Sequence, residues 1–135
     1  MSEENNNDFN ILISDDSDLF LRIAMTIIED YLKHHDINFH FVTVQSSTDA
    51  KKVYDEYKGS LNLIITDLHC PEECSGINMI EHVRESDKEL PILIITGEER
   101  IDVLEKAKKI MSSSIMRKQS NLYKGLTRYM EALFS

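Results

Sequence analysis

Short apolar runs in this chain repeatedly break off at a residue that carries chemistry. Asn10-Ile11-Leu12-Ile13-Ser14 leads into Asp15-Asp16, Leu61-Asn62-Leu63-Ile64-Ile65-Thr66 into Asp67, Ile92-Leu93-Ile94-Ile95 into Thr96, and Ser114-Ile115-Met116-Arg117 into Lys118. Runs this short, this rich in β-branched residues and bounded by turn or polar residues read as buried strands. A further strand is predicted over Asn38–Val44, where Phe39 and Phe41 alternate with His40 and Val42.

The segments between the strands have helical periodicity. Phe20, Ile23, Ala24, Ile27 and Tyr31 predict a helix from Asp18 to about Lys33. Ser47 or Thr48 would cap a short helix carrying Ala50, Val53, Tyr54 and Tyr57, with Gly59 as its stop. A loop over His69–Gly76 precedes a helix using Ile77, Ile80 and Val83, and Pro91 precedes the fourth strand. Val103, Leu104, Ala107, Ile110 and Met111 mark a helix from about Glu99 to Met111. Ser120 would cap a last helix whose stripe is Leu122, Leu126, Tyr129, Met130 and Leu133. Five repeats of strand then helix imply a parallel sheet with right-handed crossovers and helices on both faces, an α/β three-layer sandwich. In such a sheet ligands bind outside the carboxyl ends of the strands, where Asp15, Asp16, Asp67, Thr96 and Lys118 would meet.

Length and charge bound the function. At 135 residues the chain suits one domain, and 15 basic against 24 acidic residues, a net charge of −9, argue against nucleic acid as a partner. No apolar stretch is long enough to span a membrane, and Met1–Asp8 is unlike an export signal, so we expect a cytoplasmic protein with no membrane partner. Residues 1–8 read as a disordered tail and 9–135 as the domain. Cys70 and Cys74 are too few for a disulfide scaffold and are expected to be free thiols.

Three carboxylates in one crevice repel unless a proton or a cation relieves them. Mg²⁺ suits such a site, because it takes oxygen ligands and usually only one or two protein carboxylates directly. On this reading Asp16 and Asp67 serve directly and Asp15 through water. Lys118 and Thr96 then supply a point charge and a hydroxyl to stabilise a transferred phosphoryl group, with a carboxylate as its acceptor.

With these residues in this order, the chain resembles the receiver domains of two-component response regulators from about Phe9 to Phe134. The resemblance rests on Asp15-Asp16 after the first strand, Asp67 after the third, Thr96-Gly97 after the fourth and Lys118 after the fifth. It implies a flavodoxin-like, doubly wound five-stranded parallel sheet with five alternating helices. It further implies Asp67 as phosphoacceptor and Asp15, Asp16, Asp67 and the backbone carbonyl of His69 around Mg²⁺. Thr96 becomes the switch hydroxyl and Lys118 the phosphate-binding cation. The implied partners are a sensor histidine kinase or histidine phosphotransfer protein and a downstream protein reached by docking, the chain acting as a stand-alone receiver and not as an enzyme.

The chain departs from the family pattern at Gln119, where proline usually follows the lysine, and at Ile115, where many receivers carry an aromatic ring. The first predicts a trans bond or a reshaped loop, because a cis bond without proline costs about 2.5 to 4 kcal/mol. The second removes the familiar aromatic rotamer switch. One alternative keeps the fold but drops the switching, a non-switching adaptor or phosphate sink; another, from the enzyme class, is a small Mg²⁺-dependent phosphatase or a flavodoxin-like flavin binder. A phosphatase of the aspartate-nucleophile type would want an acid where His69 stands, and no glycine- and hydroxyl-rich loop follows the first strand for a flavin. A zinc site at His69, Cys70 and Cys74 would lack the usual fourth ligand.

Overall fold

A computed structural model describes residues 8–69, 71–72, 75–111, 114–118 and 121–135. Among them β1 (Phe9–Ser14), β2 (Phe39–Val44), β3 (Leu63–Thr66), β4 (Ile92–Thr96) and β5 (Ser114–Arg117) alternate with five helices. These are α1 (Asp18–His34), α2 (Ser47–Glu56), α3 (Ser75–Ser86), α4 (Ile101–Met111) and α5 (Leu122–Leu133). Every strand pairing is parallel, and the order across the sheet is β2-β1-β3-β4-β5. The expected three-layer α/β sandwich is therefore the fold of this chain.

The chain begins in the interior of the sheet, winds to the β2 edge, then returns past β1 to β3 and on to β5. The direction of winding reverses between β1 and β3, so the loops leaving these two strands diverge and open a crevice. Ile11 pairs with Leu63 and Ser14 with Thr66, a register that brings Asp15 and Asp67 to the same level at that reversal.

Side-chain alternation distributes the sheet over two cores. Ile11, Ile13, Leu63, Ile65, Leu93 and Ile95 pack with α1 and α5, while Leu12, Ile64, Ile92 and Ile94 pack with α2, α3 and α4. All ten side chains are buried. Burial on both faces explains why β1, β3 and β4 are continuous apolar runs, whereas the edge strand β2 is only half-buried and exposes His40 and Thr43. Each such Ile or Leu contributes about 1.5 to 3 kcal/mol, so the three central strands are the rigid base from which the site loops project.

Several boundaries differ from the sequence-based expectations. α2 is capped by Ser46, whose hydroxyl accepts the Asp49 N–H, and not by Ser47 or Thr48; Ser47 is buried in the first turn against Ser75. α5 is capped by Asn121, not Ser120, with the Asn121 side chain accepting the Lys124 N–H. β3 begins at Leu63, not Leu61, because the Asn62 side chain takes the Asn10 N–H at 2.7 Å while the Asn10 amide donates to Ser60. α3 starts earlier than expected, at Ser75, and α4 starts at Ile101 where Glu99 was predicted. Ile23 is 40% exposed: the buried stripe of α1 is Phe20, Leu21, Ala24, Ile27, Ile28, Tyr31 and Leu32, and Ile23 lies to its side. Gly59 comes after α2 has already ended, in a left-handed turn at φ 89°. The readings on residues 1–7, Cys70, Cys74 and Gln119 lie outside the described residues.

Candidate functional site

The carboxyl ends of β1, β3, β4 and β5 carry the residues singled out in the sequence. Asp15 follows β1 directly. Its N–H bonds to Val44 and its Oδ1 accepts the Ser17 N–H at 2.8 Å, while Ser17 in turn caps α1 through the Phe20 N–H. Asp15 is fully buried, whereas its neighbour Asp16 is exposed. Asp67 follows β3, hydrogen-bonded through its N–H to the Ser14 carbonyl, and is 7% exposed.

Lys118 ties these two carboxylates together. Its Nζ lies 2.8 Å from Asp15 Oδ2 and 3.1 Å from Asp67 Oδ2. The second contact is a hydrogen bond; the first is an ion pair off the hydrogen-bonding direction, so Asp15 Oδ2 is buried without a hydrogen-bond partner among the described residues. The Lys118 backbone N–H donates to the Thr96 carbonyl at 2.9 Å, which fixes the end of β5 to the end of β4. Thr96 itself is fully buried, and its Oγ1 accepts the Glu98 N–H at 3.1 Å.

The helix that follows β3 is pressed against the peptide of Asp67. The Gly76 N–H donates to the Leu68 carbonyl at 2.8 Å, and a Cβ on Gly76 would lie 2.1 Å from the Asp67 carbonyl oxygen. The first turn of α3 can therefore sit on the Asp67–Leu68 peptide only because Gly76 has no side chain.

Burial and charge set the protonation of the pair. Burial pushes the Asp15 carboxyl up, and the nearby Lys118 ammonium and the Ser17 N–H only partly offset this. Burial also opposes the charge on Lys118, yet its contacts with Asp15 and Asp67 outweigh it and the ammonium is held above the ordinary lysine range. Burial dominates at Asp15, with the neighbouring Asp67 charge a minor addition, whereas at Lys118 the two carboxylates together outweigh burial.

A carboxyl whose folded pKa exceeds its unfolded value loses stability as pH rises through the folded pKa, and the cost vanishes below the unfolded value, ordinarily 3.8. Asp15→Asn is therefore expected to stabilise the fold at pH 7 by about 0.5 to 2 kcal/mol, the usual gain on relieving a functional-site cost. The gain should shrink on acidification, as measured by paired urea melts. A less stable Asn variant at pH 7 would show that the ion pair outweighs burial.

Sequence reasoning missed a second polar group at the crevice rim. Glu98 is buried and bonds His69 Nε2 at 2.6 Å through Oε1. It is gripped by Arg100 through the backbone N–H, Nε and a terminal guanidinium nitrogen, at 2.7, 3.0 and 2.9 Å. Arg100 first, and then His69, hold the Glu98 carboxyl far below the usual carboxylate range. The available signal was the charged run Glu98-Glu99-Arg100 closely following Thr96, but the partner His69 comes from another loop. The His69 ring is thus engaged by Glu98, while the His69 backbone N–H reaches Asp67 Oδ1 at 3.4 Å.

Lys118 contacts both Asp15 and Asp67, Thr96 joins them through the β5 backbone, His69 reaches Asp67 through its backbone N–H, and Asp16 is exposed beside Asp15 in the chain. Among the described residues no three His, Cys, Asp or Glu side chains form a ready metal cluster. The donor chemistry nonetheless fits a hard cation: the side chains are carboxylates, and buried Asp15 Oδ2 has an ion pair but no hydrogen bond. Chemically the arrangement offers a carboxylate nucleophile, an adjacent cation and a hydroxyl on one rigid base.

The family model described as response regulator receiver domain matches residues 11–129. No curated protein matches in sequence. Among solved structures, the chain is similar to a response regulator receiver protein from Sinorhizobium medicae WSM419, with 20% identity, TM-score 0.75 and coverage of 95% of this chain and 96% of that one. It is also similar to a signal receiver domain of a two-component histidine kinase from Clostridium thermocellum, with 18% identity, TM-score 0.78 and coverage of 95% and 98%. A LuxR-family DNA-binding response regulator from Staphylococcus aureus gives 18% identity, TM-score 0.76 and coverage of 94% and 99%. At these identities the structural likeness speaks for the fold.

Proposed function

We propose, for a chain that belongs to the response regulator receiver domain family, that Asp67 accepts a phosphoryl group from a phosphohistidine of a sensor histidine kinase or histidine phosphotransfer protein. Receiver domains of this family are phosphoacceptors in two-component signal transduction and not general enzymes. The observation that carries the reading is Lys118 Nζ in contact with both Asp15 and Asp67, at the reversal point of the sheet. In the transfer, the P–N bond of the donor imidazole breaks as a P–O bond forms to an Asp67 oxygen. Lys118 then balances charge on the phosphoryl oxygens.

Mg²⁺, when bound, would neutralise charge between the carboxylates and the phosphoryl oxygens. Asp16 and Asp67 would hold it directly, Asp15 through water, and the His69 backbone carbonyl would be a further ligand. The exclusively oxygen donor set and the Asp15 Oδ2 atom without a hydrogen bond support this assignment. Thr96 Oγ1 already accepts the Glu98 N–H, which leaves its own proton to be donated to a phosphoryl oxygen.

The output would be docking of another protein on the surface of α4, β5 and α5. On the α4 and β5 part of that surface a groove of about 370 Å³ is lined by the apolar Ile101, Leu104 and Ile115 and the charged Glu105, Lys108 and Arg117. Ile115 pairs with Ile94 and is half-buried, so the strand can register a change at Thr96 two residues beyond Ile94. Ile115 is stiff at χ1, and it would do so by a small packing shift. Among the described residues no helix is long and apolar enough to cross a membrane, and we take the cytoplasm as the site of action.

The test is an NMR titration with Mg²⁺ and then beryllofluoride, a mimic of the phosphoryl group. Asp16→Ala is expected to weaken Mg²⁺ binding more than Asp15→Ala, and beryllofluoride shifts should run from Thr96 along α4 to Ile115. Equal effects of the two substitutions would remove the division of roles. Shifts confined to the surroundings of Asp67 would favour a phosphate sink or adaptor without switching.

A further inference from the structure

The Lys118 ammonium has a third neighbour besides its two carboxylates. Its Nζ lies 4.8 Å from the centroid of the Phe20 ring, and that ring is 8% exposed. Phe20 stands in the first turn of α1, its N–H bonded to Ser17 Oγ at 3.1 Å, and the Ser17 N–H is bonded to Asp15. One short segment thus fixes a carboxylate on one side of the ammonium and an aromatic face on another, while Asp67 supplies a third contact.

The two kinds of contact act differently on a cation. A hydrogen bond to a carboxylate is directional, and leaving it costs the ammonium a partner. The negative face of an aromatic ring attracts the same charge over a broad area, more strongly when water is excluded, and occupies no carboxylate oxygen. A cation resting on such a face can turn from Asp15 toward an incoming phosphoryl oxygen without being rehydrated on the way.

We infer that Phe20 is a positioning residue for phosphoryl transfer, its ring holding the Lys118 ammonium at the crevice between Asp15 and Asp67 in place of water. The role rests on the proposed transfer to Asp67. It adds to that reading a requirement for an aromatic ring, not merely a bulky apolar side chain, at this position of α1.

The experiment compares Phe20→Leu and Phe20→Trp with the native protein, using phosphoramidate as donor with Mg²⁺. Leucine keeps apolar bulk and loses the ring, while tryptophan keeps the ring and strains the packing. The saturating rate of Asp67 phosphorylation should fall about fivefold in Phe20→Leu and stay within about twofold of native in Phe20→Trp, with the donor KM nearly unchanged in both. A purely structural role predicts the reverse order, because overpacking makes tryptophan the worse substitute. Thermal melts in parallel report folding separately. As a measurement independent of turnover, the Lys118 ε-methylene protons should resonate upfield from the ring current in native and Trp proteins and lose that shift in the Leu protein. Unshifted native protons, or a Leu variant that is phosphorylated as fast as native, would overturn the assignment of Phe20 alone. A native protein that takes no phosphoryl group would remove the transfer reading and this role with it.

Discussion

Asp67→Ala is expected to abolish Mg²⁺-dependent labelling by a small phosphodonor, taking it to background. Asp67 sits at the end of a rigid central strand with its carboxylate facing Lys118 and remains slightly exposed, whereas Asp15 is fully buried and committed to the Ser17 N–H. Asp16 is exposed and has no such cation beside it among the contacts described. An acyl phosphate hydrolyses readily, so borohydride reduction followed by peptide mass spectrometry should trap and locate the adduct. Labelling of the alanine variant at the native level would sink the assignment of the acceptor.

The second large effect concerns stability. Gly76→Ala is expected to cost about 3 kcal/mol, at the upper end for overpacking, and to impair phosphorylation together with folding. The new Cβ would meet the Asp67 carbonyl oxygen at 2.1 Å and the Leu68 Cα at 2.8 Å, both backbone atoms with no rotamer by which to yield. Relief requires moving either α3 or the peptide that carries Asp67. Urea melts and the labelling assay on the same protein test both parts. An alanine variant within about 0.5 kcal/mol of native, the range of ordinary surface changes, would show that helix and acceptor are not in such close contact.

The fold was legible because β1, β3 and β4 are buried on both faces, and their apolar runs have no competing helical reading at that length. Recognition of the site depended on the same fact, since a residue following such a run is placed by the strand. What the sequence hid depended on finer geometry. Ser46, Ser47 and Thr48 are all competent caps, and only backbone conformation selects Ser46. Phe20 and Ile23 both lie at helical spacing, but the packing of α1 against the sheet and α5 buries only Phe20. The ring of Phe20 against Lys118 joins residues from opposite ends of the chain, and the grip on Glu98 joins two separate loops. Neither pairing has a periodicity to betray it.

The link between Glu98 and His69 also governs how the crevice can open. It fastens the loop after β4 to His69 beyond the end of β3, and Arg100, two residues on in the same β4–α4 loop, grips the same carboxylate. If one flap lifted alone, buried Glu98 would lose a charge-assisted partner without gaining water, an expensive intermediate. Parting the residues that follow β3 from those that follow β4 at the mouth beside Asp67 therefore means breaking the His69–Glu98 bond.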